Sequence, residues 1–328
     1  MEYVRLGKTG LMVSPICLGT MALGPPMEKG RSIEIIEEAI ELGINFIDSA
    51  DRYGIKDNEL DPSAVIPAEV VVGKFLKDHQ RTDLVLSTKV HHQLRESPNS
   101  GGLGRKHIRE QLEISLQNLG TEYVDIYYCH RPDPGTSLEE TVRTMTNLIE
   151  EGKINYWGTS WWPPYLIERA IGIAKLIGAV APVVEQPPYH LRARFIEPDL
   201  FKVVNHHHLG LTPFEGLSSG LFTGKYNDAI PEDARLKKLQ MVDEGFFAQI
   251  QPKLQQMEEL AATTERTMYQ LALAWVLSHE EITSTITGAR LPEQVEMNTS
   301  ASGMQLESET IRQLEEIFVE RQPIYHYR

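Results

Sequence analysis

Residues 106–160 read KHIREQLEISLQNLGTEYVDIYYCHRPDPGTSLEETVRTMTNLIEEGKINYWGTS. Ile108, Leu112, Ser115, Leu116 and Leu119 recur on one helical face and Gly120 stops the run, which predicts a helix over 106–119. The apolar run 124–128 follows as a strand. Ser137, with Glu140 three residues on, sets out a capping box for a helix over 137–151 that Gly152 ends. Residues 154–160 then read as a strand. Helices and strands that alternate in this way join neighbouring parallel strands by crossovers.

The same rhythm extends in both directions. Toward the N-terminus it predicts strands over 15–20, 44–48 and 84–89, with helices over 32–42, where Ser32 is the N-cap, and 65–78. Toward the C-terminus it predicts strands over 182–186, 209–214 and 284–288, with Pro213 weakening the second. Helices are expected over 165–176, 197–205, 246–262, 267–278, 292–300 and 307–320. Eight β/α units in this length favour an α/β fold closed as a (β/α)8 TIM barrel. No G-x-G-x-x-G opens the first βα turn, which counts against an open dinucleotide-binding sheet. No linker, internal repeat or low-complexity tract interrupts the pattern, so a single domain over 1–328 is expected.

Composition narrows the function classes. The 328 residues are 41% hydrophobic and 24% charged, with a net charge of −14, as in an ordinary globular chain. Acidity spread along the chain argues against nucleic acid or an anionic membrane as the main partner. Cys17 and Cys129 are too few for a disulfide framework, and the N-terminus shows no basic-then-apolar leader. The apolar run 176–184 is far shorter than the roughly 20 residues a membrane span needs. A cytoplasmic protein without membrane insertion is therefore expected.

Three long polar segments, 53–67, 91–104 and 220–240, follow strands, on the face where barrels carry their active sites. Polar residues end the strands on that same rim: Asp48, Lys89, His130, Ser160, Gln186 and, after the last strand, Arg290. Singly, each has a structural reading, such as a turn cap for Asp48 or a snorkelling surface lysine for Lys89. Together with Tyr53 they form a chemical set. A tyrosine holds its proton too tightly to act alone near neutrality, and a lysine ammonium beside it lowers its pKa. A carboxylate keeps that ammonium charged, and a histidine can hydrogen-bond a carbonyl oxygen.

At these residues the sequence resembles the aldo-keto reductase family. The segments that carry the likeness are Phe46-Ile47-Asp48-Ser49-Ala50-Asp51-Arg52-Tyr53-Gly54, Ser87-Thr88-Lys89, His130-Arg131-Pro132-Asp133-Pro134, Trp157-Gly158-Thr159-Ser160, Glu185-Gln186-Pro187 and the stretch 220–226. Within the family it is most similar to the potassium-channel β-subunit branch and its microbial relatives, through Leu103-Gly104-Arg105-Lys106-His107-Ile108 and the His130 segment. The resemblance implies NADP(H) bound across the C-terminal rim, with Asp48, Tyr53, Lys89 and His130 as the catalytic tetrad and Tyr53 as general acid toward an aldehyde or ketone. It implies that Ser160 and Gln186 hold the nicotinamide carboxamide, that Phe214 stacks on the ring, and that Leu217, Ser219 and Gly220 meet the pyrophosphate. Lys225, Arg235 and Arg290 match positions near the 2′-phosphate, and Gln294 and Asn298 match adenine contacts. Three cations clustered in the last rim loops of an acidic chain also favour NADPH on charge alone. The same branch offers a second expectation, an NADP(H)-binding regulatory subunit with slow reductase activity, and leaves monomer, dimer or a larger homo-oligomer open.

The sequence departs from the family pattern in places. Trp161 follows Ser160 where Asn or Arg is usual, so Trp161 and Trp162 are expected to shape the substrate pocket. Glu215-Gly216 replaces Ser-Pro, and Met297 stands where an adenine-binding acid is usual. His206-His207-His208 and the His91, His92 and His130 group raise a metal site as a third reading. Adjacent histidines cannot all face one ion on a regular element, and the first strand lacks a hydrolase Asp/His pattern, so no metal is expected.

Overall fold

A computed structural model describes residues 1–24, 27, 29–54, 67–232, 235–238 and 243–319. An N-terminal hairpin, β1 (Val4–Arg5) and β2 (Met12–Val13), leads into β3 (Ile16–Gly19), α1 (Lys29–Glu41), β4 (Phe46–Asp48) and α2 (Ala68–Leu76). There follow β5 (Val85–Val90), α3 (Arg105–Leu119), β6 (Val124–Cys129), α4 (Leu138–Glu150), β7 (Ile154–Ser160) and α5 (Pro164–Ile177). Next come β8 (Val184–Gln186), α6 (Leu200–His207), β9 (Gly210–Leu211), a 3-10 segment (Ser218–Thr223) and α7 (Arg235–Lys238). The chain ends on α8 (Glu244–Thr263), α9 (Met268–Leu277), β10 (Thr285–Gly288), α10 (Pro292–Thr299) and α11 (Ser308–Ile317).

The larger sheet is parallel, in the order β10-β3-β4-β5-β6-β7-β8-β9. Its ends meet. Thr283 N donates to Leu211 O and Ile286 N to Pro213 O, both at 2.8 Å, and Phe214 bridges Ile286 in parallel. These bonds close the expected (β/α)8 barrel.

Strand alternation divides its residues between two cores. Cys17, Phe46, Val85, Ile126, Tyr128, Val184 and Ile286 form the barrel interior, joined by Leu6 and Val13 of the hairpin region. Ile16, Ile47, Leu86, Tyr127 and Cys129 face the helical layer. The hairpin lies at the bottom of the barrel, where Lys8 N donates to His208 O at 3.0 Å. Gly7 takes φ +53° there, and a Cβ on it would lie 2.5 Å from the His208 carbonyl oxygen, so no side chain fits. Two-residue strands carry no periodicity, which is why the hairpin escapes the sequence.

Most sequence expectations differ only at element ends, but four differ in substance. Ser32 lies inside α1 rather than capping it, and its hydroxyl accepts from Gly24 N at 3.1 Å. Ser137 does occupy the N-cap of α4, yet makes no capping bond, and Glu140 instead accepts from Arg105 N at 2.9 Å. The helix expected over 197–205 is α6, displaced to Leu200–His207, because Pro198 and the turn around it hold the preceding residues out of the helix. The strand expected over 209–214 shortens to Gly210–Leu211, with Pro213 at its interrupted end. Residues 55–66 of the expected 53–67 loop lie outside the described residues, as does part of 220–240. Among the described residues, no helix is long and apolar enough to cross a membrane.

Candidate active site

Parity on the strands decides what meets at the rim. Asp48 continues the inward series from Phe46, Ser87 and Lys89 continue it from Val85, and His130 continues it from Ile126 and Tyr128. Ser160 and Gln186 pair across β7 and β8. Cys129 faces the helices, buried, with its thiol pushed well above the usual range by burial, as expected for a core residue.

Lys89 is 0% exposed, which excludes a snorkelling surface lysine. Its Nζ donates to Asp48 Oδ2 at 2.5 Å, to the Ser49 carbonyl at 2.8 Å and to Tyr53 Oη at 3.0 Å, using all three ammonium hydrogens. Asp48, itself buried, also accepts from Ser87 Oγ at 2.7 Å and from Gln186 Nε2 at 3.0 Å. The buried charges are thus paired and hydrogen-bonded, the condition for keeping ions inside a protein. Burial opposes the Lys89 charge, but Asp48 and Tyr53 together outweigh it and raise its pKa.

Tyr53 differs from the sequence expectation in one respect. Burial raises its pKa by more than the Lys89 ammonium lowers it, so the hydroxyl keeps its proton. His130 meets the Tyr53 ring edge to face, with centroids 6.0 Å apart. Burial first, then Lys89, His92 and Arg131, push the His130 pKa far down, which leaves a neutral imidazole whose Nδ1 has no partner among the described residues. The ring also meets His92, 4.8 Å away centroid to centroid. Among the described residues, no group of three or more His, Cys, Asp or Glu is placed to hold a metal ion.

The opposite wall is built from backbone conformation. Glu215, Ser218, Ser219 and Gly220 have φ of +65°, +48°, +55° and +91°. Left-handed backbone at residues other than glycine is costly, and it concentrates at ligand clamps. Ser219 Oγ donates to Glu215 Oε1 at 3.4 Å, which draws that unusual carboxylate onto its own loop. Lys225 Nζ lies 3.0 Å from where a Gly220 Cβ would stand. The loop of Leu217, Ser219 and Gly220 therefore carries a cation against it, a fit for a phosphate group.

The remaining residues expected at the site distribute around the same rim. Ser160 Oγ donates to the Gln186 carbonyl at 2.8 Å. Phe214 lies 5.9 Å from Trp161, ring to ring. Arg290 and Gln294 are exposed, Arg290 N donating to Gln294 Oε1 at 2.8 Å, and Asn298 Nδ2 donates to the Gly288 carbonyl at 3.4 Å. Arg235 opens α7, and its side chain lies outside the described residues. Trp161 stands on the rim in a left-handed conformation, φ +60°. Trp162 does not: at 1% exposure it packs in the helix–barrel core, because Pro163 and Pro164 turn the chain into α5 immediately after it.

The structure adds residues that the sequence reading passed over. Ser87 steadies Asp48, and inward parity with Lys89 carries that signal. Glu185 is buried under the Trp161-Trp162 turn, accepting from Trp162 N at 3.1 Å and from the Thr159 hydroxyl. Burial pushes its carboxyl up to about 8. Arg131 turns back over the rim, its guanidinium 4.8 Å from the Trp161 ring centre.

The model of the aldo/keto reductase family matches residues 15–318. A probable voltage-gated potassium channel subunit beta from Arabidopsis thaliana is 36% identical over 309 residues, covering 92% of this chain and 91% of the relative. A putative subunit of the same name from Schizosaccharomyces pombe is 38% identical, covering 95% and 92%. A probable one from Oryza sativa subsp. japonica is 35% identical, covering 92% and 91%.

Proposed function

The chain belongs to the aldo/keto reductase family, and on that premise we propose that it is an NADPH-dependent oxidoreductase that reduces aldehydes or ketones to alcohols. The observation that carries this reading is the continuous chain Tyr53 Oη, Lys89 Nζ, Asp48 Oδ2 at the barrel mouth. Bound NADPH supplies the hydride for the carbonyl carbon. Tyr53 supplies the proton for the oxygen. It holds that proton until negative charge develops there, and the ammonium beside it then stabilises the tyrosinate left behind. Asp48 keeps Lys89 charged and aimed. The neutral His130 ring offers one N–H to the carbonyl oxygen and fixes the direction of attack. Ser160, Gln186 and Phe214 line the nicotinamide end. Leu217, Ser219 and Gly220 receive the pyrophosphate, Lys225, Arg235 and Arg290 the 2′-phosphate, and Gln294 and Asn298 the adenine.

A panel of aldehydes and ketones with NADPH, and NADH as comparison, tests this. Tyr53→Phe is expected to lower kcat by roughly 10²–10⁴; unchanged turnover overturns the proton-donor role. The names of the relatives favour a second reading, a regulatory NADP(H)-binding subunit. Stoichiometric NADP copurifying with negligible steady-state turnover on the whole panel would support that reading instead.

A further inference from the structure

Arg131 follows the catalytic-site histidine directly, and the proton-transfer chain does not use it. Its guanidinium face lies on Trp161, and Trp161 leans on Phe214, so the cation and two aromatic rings form one continuous wall. A guanidinium has five N–H donors. Among the described residues, Arg131 spends one of them, Nη1 to the His130 carbonyl at 3.1 Å, and forms no ion pair with a carboxylate. Five arginines outside the site do otherwise: Arg81, Arg109, Arg143, Arg194 and Arg312 each pair with an acid. Arg131 acts electrostatically on Tyr53, and Tyr53 on it, so the guanidinium charge is felt at the group that would hold the carbonyl oxygen.

Arg131 stays charged near neutrality, although burial lowers its pKa to about 10. Glu185 and Glu215 are the carboxyl groups that act on it. Glu185, raised to about 8 by burial, is mostly uncharged at neutral pH. Glu215 accepts from Ser219 on the cofactor side of the wall. His92 is held neutral, its pKa lowered to about 3 by burial and then by Arg52, His91 and Arg131. Arg52 adds a second guanidinium on the far side of His130, with Nη1 3.3 Å from His92 Nδ1. Among the described residues, two guanidinium groups, those of Arg131 and Arg52, thus stand at the mouth of the reaction site.

From this geometry we infer that the substrate is a carbonyl compound that also carries a carboxylate, which the in-plane N–H edge of Arg131 binds while Trp161 and Phe214 flank its apolar body. The inference rests on the reductase reading for the carbonyl, but the anion site stands on its own. Planar bidentate recognition of a carboxylate is what an arginine edge does best, and stacking on Trp161 holds that edge in place.

Two measurements test it. The first compares kcat/KM for 4-carboxybenzaldehyde with that for its methyl ester, which differs chiefly in charge. Wild type is expected to favour the acid by about tenfold or more, Arg131→Gln to remove that preference, and Arg131→Lys to restore part of it. A preference unaltered by Arg131→Gln overturns the inference. The second measures benzoate and NADP+ binding by calorimetry, without turnover. If no aldehyde is reduced but benzoate binds wild type and not Arg131→Gln, the reductase reading fails and the anion site survives. Equal benzoate binding in both proteins overturns the anion site. So does a loss in Arg131→Gln confined to NADP+, which would assign Arg131 to the cofactor.

Discussion

The two sides of the barrel mouth are held by different means. On one side Asp48, Lys89 and Tyr53 stand on or just after β4 and β5, and their polar atoms bond one another, Ser87, Ser49 and Gln186. On the other, Trp161, Glu215, Ser218 and Ser219 lie after β7 and β9 with left-handed backbone. The first side is placed by strand alternation and fixed by charge. The second is placed by loop conformation and sets cations against rings. A reductase needs both: a proton donor that does not move, and a wall that can receive a large anionic cofactor.

The largest effect is expected on the first side. Lys89→Met keeps the length of the side chain but leaves Asp48 buried without its counter-ion. Removing one partner of a buried ion pair costs about 3–5 kcal/mol. Urea unfolding should show a loss of that size. The double variant Asp48→Asn with Lys89→Met should recover much of it, because no uncompensated charge remains. A single variant as stable as wild type would mean that the charged chain serves chemistry alone, and the contrast in how the two sides are held would dissolve.

That division also explains what the sequence disclosed. Strand parity and polar strand ends are visible in residue order, so residue order alone brings Asp48, Lys89, His130, Ser160 and Gln186 to one rim. The barrel can be counted from the same alternation. Loop conformation is not visible in this way. Nothing in Trp161-Trp162 says which ring faces the site, since that depends on a left-handed residue at 161 and on prolines that commit the chain to α5. Arg131 lies inside the His130 motif, yet its function depends on the direction of a long side chain. Ser137 illustrates the same limit in a cap: the right residue occupies the right position, and its partner Glu140 bonds Arg105 instead.

Glu185 sits where the two sides join, and its titration gives a sharper test of their separation. Burial raises its carboxyl from the ordinary value near 4.5 to about 8. The folded chain therefore retains a proton that the unfolded chain has released across that range. The sign follows: the contribution of Glu185 to stability is complete below about pH 4.5 and is lost as pH rises through about 8. Glu185→Gln imitates the protonated form at every pH. Its stability relative to wild type should rise between pH 5 and pH 9 by on the order of 3 kcal/mol. Denaturant unfolding at the two pH values measures this, and a difference that does not change with pH would show that Glu185 is charged in the folded chain.

The smallest effect separates strain that serves binding from strain that does not. Ser219 at the rim and His208 at the barrel bottom have nearly equal left-handed φ, +55° and +52°. His208 ends α6, and its carbonyl receives Lys8 N from the N-terminal hairpin region. Glycine relieves the Cβ clash of such a backbone, worth about 1–2 kcal/mol, and returns part of the gain as freedom of the unfolded chain. Ser219→Gly and His208→Gly should each stabilise the protein by about 0.5–1 kcal/mol, measured by urea unfolding. Only Ser219→Gly should weaken NADP+ binding, by about two- to fivefold, because a glycine loop must be ordered again on each association. Equal NADP+ affinity in both variants would show that the left-handed run at the rim shapes the loop without preparing it for a ligand, and that the two strained residues differ in place but not in purpose.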